Sequence, residues 1–270
     1  MTRLPEPDDL GAVHEPEPDE ASPPEAAEVL SEVRRSLEDL LLFEGRWFVT
    51  PPDVVAASAA PARPEPAGGE GSAAAEAPVP AAAVLSSFHD EICECTRCPL
   101  GQTRNRFVFG SGNPEAGIMF VGEAPGEEED LQGLPFVGPA GRFLTRIIEA
   151  MELSREEVYI CNVLKCRPPG NRDPAPEEVA TCEPYLRRQI EIVQPKVICC
   201  LGRHAAHALL KTEAPLSRLR GTLHEYAGIP VIVTYHPAAL LRNEGFKRPT
   251  WEDVKWVRRQ YDGVEPRGRA

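Results

Sequence analysis

The sequence contains no uncharged apolar stretch approaching the roughly 20 residues that a membrane-spanning helix requires, so no helical anchor is expected. No apolar run follows the opening "MTRLPEPDDLG", and no secretory leader is expected either. These absences predict a cytoplasmic protein without a membrane partner, in a compartment where thiols stay reduced. The eight cysteines then ask for a metal or for buried positions rather than a disulfide framework. Basic residues are scarce in one region only. Residues 1–85 carry 17 acidic and 5 basic side chains, whereas residues 86–270 carry 25 and 24. The net charge of −13 therefore belongs to the first third, and the remainder is near neutral with room for local basic patches. Lysine is missing where a phosphate cradle would need it. "GEAPGEEEDLQGLPFVGPAG" (122–141) is a Gly/Pro-punctuated loop behind an apolar run, yet it holds Glu123, Glu127, Glu128, Glu129 and Asp130 and no Lys. Such a loop repels phosphate and must serve another purpose.

What is present divides the chain at about residue 86. Residues 1–85 hold 13 of the 29 prolines, in tracts that bury too little apolar surface to offset ordering entropy, so this acidic Pro/Ala-rich extension is expected to be mostly disordered. Within it, a helix is expected over 24–43: Ser22 and Glu25 have capping-box spacing, and Val29, Val33, Leu37 and Leu40 share one face. That helix either docks on the main domain or binds a partner from a tether. From 86 to 264 the pattern alternates. "GIMFVGEA" (117–124), "VYICNVLK" (158–165), "VICCLG" (197–202) and "IPVIVTYHP" (229–237) read as buried strands, separated by amphipathic helices such as "GRFLTRIIEAMEL", "PEEVATCEPYLRRQIEIV" and "GRHAAHALL". The alternation predicts one α/β domain with a mainly parallel sheet. In such folds ligands lie at the carboxyl ends of the strands, which gathers Glu123, Asn162, Gly202 and His236 at one edge.

Cys95 and Cys98 form a C-x2-C pair, and Cys166 and Cys182 have 15 residues between them. Four such thiols can close a zinc site or hold an iron–sulfur cluster, and spacing alone leaves both open. Cys161, Cys199 and Cys200 fall inside apolar strands and read as core; Cys93 is incidental or a spare ligand. Glu123, beside Gly122, Pro125 and Gly126, is placed to orient a water or face a developing cation. Phe136 is either a core ring or a stacking surface for a planar ligand. Asn162 interrupts an apolar strand and must either satisfy backbone groups or read the edge of a base. His236 precedes a proline at the mouth of the last strand, next to Arg242 and Asn243.

The segments "CTRCPL", "GEAPGEEEDLQGLPFVGPAG", "CNVLKCRPPGNRDPAPEE", "PKVICCLGRHAAHALL" and "TYHPAALLRN" resemble, in order and spacing, the motif series of the type-4 uracil-DNA glycosylases, the iron–sulfur branch of the uracil-DNA glycosylase superfamily. The resemblance covers about residues 90 to 262. It implies a three-layer α/β/α sandwich around a four-stranded, mainly parallel sheet, a [4Fe–4S] cluster on Cys95, Cys98, Cys166 and Cys182, and excision of uracil from DNA to leave an abasic site. In that setting Phe136 stacks on the extruded base, Gly122 and Ala124 flank it, Asn162 meets its O4/N3 edge, and His236 stabilises negative charge at O2. Glu123, with Glu129 as second candidate, favours the sugar cation and positions water. The phosphates of uracil-containing DNA then fall to Arg97, Arg104, Arg106, Arg242, Asn243, Lys247 and Arg248. A tethered helix would engage a repair or replication protein, and the protein is expected to be a monomer. Other branches carry Asp where this chain has Ala124. His224 lies outside any inserted basic loop, so turnover rather than covalent capture of uracil is expected. The competing reading is a non-catalytic iron–sulfur module that binds DNA or a repair partner; a third is a zinc-bound nucleotide hydrolase.

Overall fold

The structure, a computed structural model, describes residues 79–263; the helix expected over 24–43 lies outside the described residues. Among these, no helix is long and apolar enough to cross a membrane.

The four apolar runs form parallel strands: β2 (Ile118–Gly122), β3 (Tyr159–Asn162), β4 (Val197–Leu201) and β6 (Ile229–Thr234). The sheet is wider than the four strands expected. Two short antiparallel edges, β1 (Ser111–Gly112) and β5 (His224–Tyr226), extend it to six in the order β1-β3-β2-β4-β6-β5. Both edges escaped sequence reading for the same reason. They are too short and too polar to show alternation, and β5 exists because a tight turn at Ala227 and Gly228 folds it back on β6. Short, half-exposed edges also suit a sheet that must not pair with another chain.

The helices expected from "GRFLTRIIEAMEL", "PEEVATCEPYLRRQIEIV" and "GRHAAHALL" are present among nine α-helices of the described residues. They are α1 (Ala81–Ile92), α2 (Leu100–Thr103), α3 (Glu127–Gln132), α4 (Pro139–Ala150), α5 (Pro176–Val193), α6 (Arg203–Leu210), α7 (Leu216–Leu219), α8 (Pro237–Arg242) and α9 (Lys247–Tyr261). Side chains alternate across a strand, and both faces here are covered. Met119, Val121, Tyr159, Cys161, Ile198, Cys200, Val231 and Val233 pack in one cluster with Leu85 and Ile92 of α1, Leu186 and Ile190 of α5 and Ala205 and Leu209 of α6. The opposite face, including Phe120, Ile160 and Ile232, is equally buried, as are Leu144 and Ile148 of α4 and Val254 and Val257 of α9. This is the expected three-layer arrangement. Cys161, Cys199 and Cys200 are fully buried within it.

Register aligns the strand ends. Gly122 pairs with Asn162, and Leu201 with Thr234. The connections that leave β2 and β4 run to opposite sides, because β3 and β6 flank the β2–β4 pair. That divergence opens a crevice at the carboxyl edge, where such sheets bind ligands.

Candidate functional site

A cavity of about 580 Å³ occupies this crevice, and Glu123, Phe136, Asn162 and His236 all line it. Its floor depends on Gly122. A Cβ there would stand 2.3 Å from Asn162 Oδ1 and 2.5 Å from Phe136 Cζ, so only a hydrogen lets the ring and the carboxamide approach together. Phe136 has a left-handed backbone (φ 52°), a conformation that costs a bulky residue about 1–3 kcal/mol and must be enforced from outside. Three contacts enforce it. Glu129 accepts hydrogen bonds from Val137 N (2.9 Å) and Gly138 N (2.8 Å), Arg155 donates to Pro135 O at 2.8 Å, and α4 presses its Gly141 so close that a Cβ would lie 1.9 Å from Phe136 O. The ring faces the His236 imidazole at 5.6 Å, tilted by 33°.

Asn162 is buried, and among the described residues its Oδ1 has no hydrogen-bond partner. A buried carbonyl left so loses about 1–3 kcal/mol, a loss that a ligand donor would recover. Its backbone is fixed from below. The fully buried Lys165 donates to Asn162 O (2.7 Å) and to Gln189 Oε1 (2.6 Å), and Gln189 Nε2 donates on to Phe109 O (2.9 Å) and Tyr159 Oη (3.1 Å). Burial pulls the Lys165 ammonium below its ordinary pKa.

His236 caps α8, and its Nδ1 accepts from Ala238 N at 3.1 Å. The ring proton therefore sits on Nε2. Burial, aided by the positive Arg242, lowers the imidazole pKa to about 4, against the opposing pull of Glu129. At neutral pH it is an uncharged donor. Glu123 is the reverse. Burial first, and then the neighbouring Asp173 carboxylate, push its pKa up to about 7, while Arg203 opposes. Among the described residues no group donates a hydrogen bond to the Glu123 carboxylate; His204 Nε2 stands 3.7 Å from it. Glu129 also lines the cavity but is fully engaged, accepting from Gly126 N (3.1 Å) besides Val137 and Gly138. Of the two carboxylates, Glu123 alone is free to hold a water. The cavity thus offers a flat ring, an orphan acceptor, a neutral N–H and a free carboxylate. A planar heterocycle with an N–H between two carbonyls matches that set.

Cys95 and Cys98 lie between α1 and α2, Cys166 follows β3, and Cys182 lies on α5. Their surroundings are sulfur-directed. Tyr185 Oη donates to Cys95 Sγ (3.1 Å), Arg104 Nη1 to Cys166 Sγ (3.5 Å) and Lys165 N to Cys182 Sγ (3.3 Å). Burial raises the Cys166 and Cys182 thiols, Arg104 and Lys165 oppose it, and Cys98 bears electrostatically on both. Tetrahedral zinc, with Zn–S of about 2.3 Å, would bring its sulfurs to roughly 3.8 Å of one another. No three cysteine sulfurs of the described residues come within 4.8 Å, so the set is wider than zinc needs. Cys93 stands apart, its Sγ turned to Asp90 O at 3.5 Å.

Of the basic candidates, Arg242 alone lines the cavity. Arg97 is exposed beside the Tyr185 ring, Arg106 is exposed near Gly133, and Arg248 is exposed on α9. Lys247 pairs with Glu244 (2.8 Å), and Asn243 Oδ1 accepts from Gly245 N (2.9 Å). Arg104 turns inward to the Cys93 and Cys95 carbonyls. Ala124 lines the cavity as a small wall. Sequence reasoning missed Arg172, Asp173, Arg203 and His204 at the mouth, and the Lys165–Gln189 pair beneath. The polar "GNRDP" run was the one available signal, and nothing in it forecasts that the loop covers the end of β2.

The family model described as "Uracil DNA glycosylase superfamily" matches residues 109–256. The "Type-4 uracil-DNA glycosylase" of Archaeoglobus fulgidus is 47% identical over 181 residues, covering 64% of this chain and 91% of that protein. That of Sulfurisphaera tokodaii is 45% identical over 64% of this chain and 83% of its own length. That of Thermotoga maritima is 45% identical over 64% and 92%.

Proposed function

The chain belongs to the uracil DNA glycosylase superfamily, on its type-4 branch, and from that premise we propose that the cavity receives a uracil swung out of DNA and hydrolyses its N-glycosidic bond. The observation that carries this reading is that Asn162, whose buried Oδ1 has no hydrogen-bond partner among the described residues, lines the same cavity as the Phe136 ring. Uracil N3–H is the donor that Oδ1 lacks, and the carboxamide Nδ2 supplies O4. Cytosine presents an acceptor at N3 and a donor at C4, the wrong pattern for this side chain.

As the C1′–N1 bond breaks, its electron pair goes to the base and the sugar becomes an oxocarbenium-like cation. The neutral His236 donates from Nε2 to O2, where the base anion concentrates charge. Glu123, ionised, faces the cation and holds the attacking water. The water oxygen bonds to C1′, its proton passes to the Glu123 carboxylate, and the uracil anion leaves to be protonated by solvent. An acidic loop suits a cationic sugar, which is why this glycine-rich turn carries no lysine.

The four-cysteine site suits a [4Fe–4S] cluster, because no three of its sulfurs are gathered as closely as one zinc ion holds them and N–H and O–H donors already point at three of the four. Bound there on Cys95, Cys98, Cys166 and Cys182, the cluster would tie three chain segments together close behind Asn162. Arg97, Arg106, Arg242, Lys247 and Arg248, with Asn243, are the phosphate contacts of this reading; Arg104 serves the cysteine loop. The test is incubation of the full chain with a uracil-containing oligonucleotide, then alkali. Cleavage at the uracil position is expected. Cleavage no greater than in a uracil-free control rejects the activity.

A further inference from the structure

Glu123 follows β2, Asp173 lies in the loop before α5, and Arg203 and His204 form the first turn of α6. No secondary structure requires these segments to meet, yet they do. One oxygen each of Glu123 and Asp173 and one nitrogen of His204 all lie within 4.8 Å of one another. His204 Nε2 stands 3.7 Å from Glu123 Oε2 and 3.4 Å from Asp173 Oδ2. Arg203 binds the group together, with Nη2 on Asp173 Oδ2 at 2.8 Å and Nε donating to His204 Nε2 at 3.1 Å. We propose that Asp173, clamped by Arg203 against the His204 ring, is a positioning residue that acts through Glu123: it sets a second negative charge beside the Glu123 carboxylate and the sugar cation. This rests on the role given to Glu123 above.

Packing alone does not account for the arrangement. The Asp173 side chain is 67% exposed, so no core is served by it, and two carboxylates beside one imidazole repel unless that imidazole is charged. It is not: burial lowers the His204 pKa, and its Nε2 lone pair already accepts from Arg203. The cluster therefore carries two negative groups against the one positive charge of Arg203. The remaining charged or titratable groups around this mouth are Glu127, Glu128 and Glu129 of α3, Arg172 of the loop, and His236 and Arg242 of the α8 segment. Arg172 is engaged by Glu178, at 2.6 Å. A net negative mouth costs the resting protein repulsion and favours the moment at which the sugar turns positive.

The test is the pH profile of single-turnover uracil excision by the full chain, wild type against Asp173→Asn, Arg203→Gln and Glu123→Gln. The wild type should lose rate as the pH falls through about 7, where Glu123 takes up its proton. Asp173→Asn should move that bend to lower pH and lower the plateau several-fold; Arg203→Gln should move the bend to higher pH. A plateau loss with the bend unmoved in both variants would make the residues merely structural and overturn the proposal. Persistence of the bend in Glu123→Gln would instead overturn the assignment of Glu123, and the two failures are told apart by which variant keeps the wild-type profile.

Discussion

A neutral imidazole and an ionisable carboxylate must coexist in one small space, and at the scale of single residues the surroundings push them in opposite directions. His236 is held uncharged by burial and by Arg242, while Glu123 is raised toward neutrality by burial and by Asp173. Nitrogen-15 NMR of the imidazole should show the Nε2–H tautomer and no imidazolium at pH 6; an imidazolium there contradicts the donor role. The same displacement affects stability. The unfolded chain takes up this proton near 6.5 and the folded chain near 4, so between those values the unfolded state binds more protons and stability declines as the pH falls. Asn162 is the other decisive residue. Asn162→Ala should reduce kcat/KM on uracil by about 10²–10³-fold, the scale of losing preorganised donors and acceptors, while DNA affinity persists. Single-turnover rates and fluorescence anisotropy on the same oligonucleotide separate the two effects. Both residues were visible in the sequence as polar interruptions at strand ends. Their protonation and lack of partners were not, because these depend on neighbours far along the chain.

At the scale of elements, the acidic loop and the "LPFVGPAG" turn act as one unit. Glu129, the third residue of α3, joins them through backbone N–H groups on both. Its placement was legible as one carboxylate among five; its use as a staple was not, since composition does not reveal which carboxylate meets which amide. Glu129→Gln should lower stability by about 1–3 kcal/mol, the difference between charge-assisted and neutral hydrogen bonds in a half-buried place, and should release Phe136 from its left-handed backbone. Thermal unfolding measures the first; loss of turnover without loss of DNA binding measures the second. A rise in activity would mean that Phe136 is not held in its working position. The strands and long helices were legible because each repeats one buried side at period 2 or 3.6. β1 and β5 were not, being held by their neighbours.

For the molecule as a whole, the cysteine site and α1 are the parts to test for what the domain needs. Cys166→Ser should lose iron and lower the yield of folded protein more than it slows the folded fraction, because in the proposed ligand set Cys166 would join the segment after β3 to the loop that holds Cys95 and Cys98 and to α5. Iron content equal to wild type would remove it from the ligand set. The domain also begins earlier than composition suggests, in the sense that α1 opens at Ala81 and buries Leu85 against the core. A chain starting at residue 79 should keep the melting behaviour and turnover of the full chain. One starting at 86 should lose about 2–4 kcal/mol with the Leu85 side chain and the first half of α1, as chemical denaturation would show. Equal stability of the two would mean that α1 contributes nothing to the core.

The sequence alone determined the α/β class, the four parallel strands and the meeting of Glu123, Phe136, Asn162 and His236 at one cavity. These rest on local pattern, on motif spacing and on the rule that strand ends share an edge. Only the tertiary structure decided the rest: that Glu129 braces while Glu123 stays free, that Asn162 Oδ1 is left wanting a donor, and that Asp173, Arg203 and His204 gather at the mouth. Each of those is a relation between side chains brought together from distant segments. Such relations follow from the folded distances and from burial, neither of which is written in any one stretch of the chain.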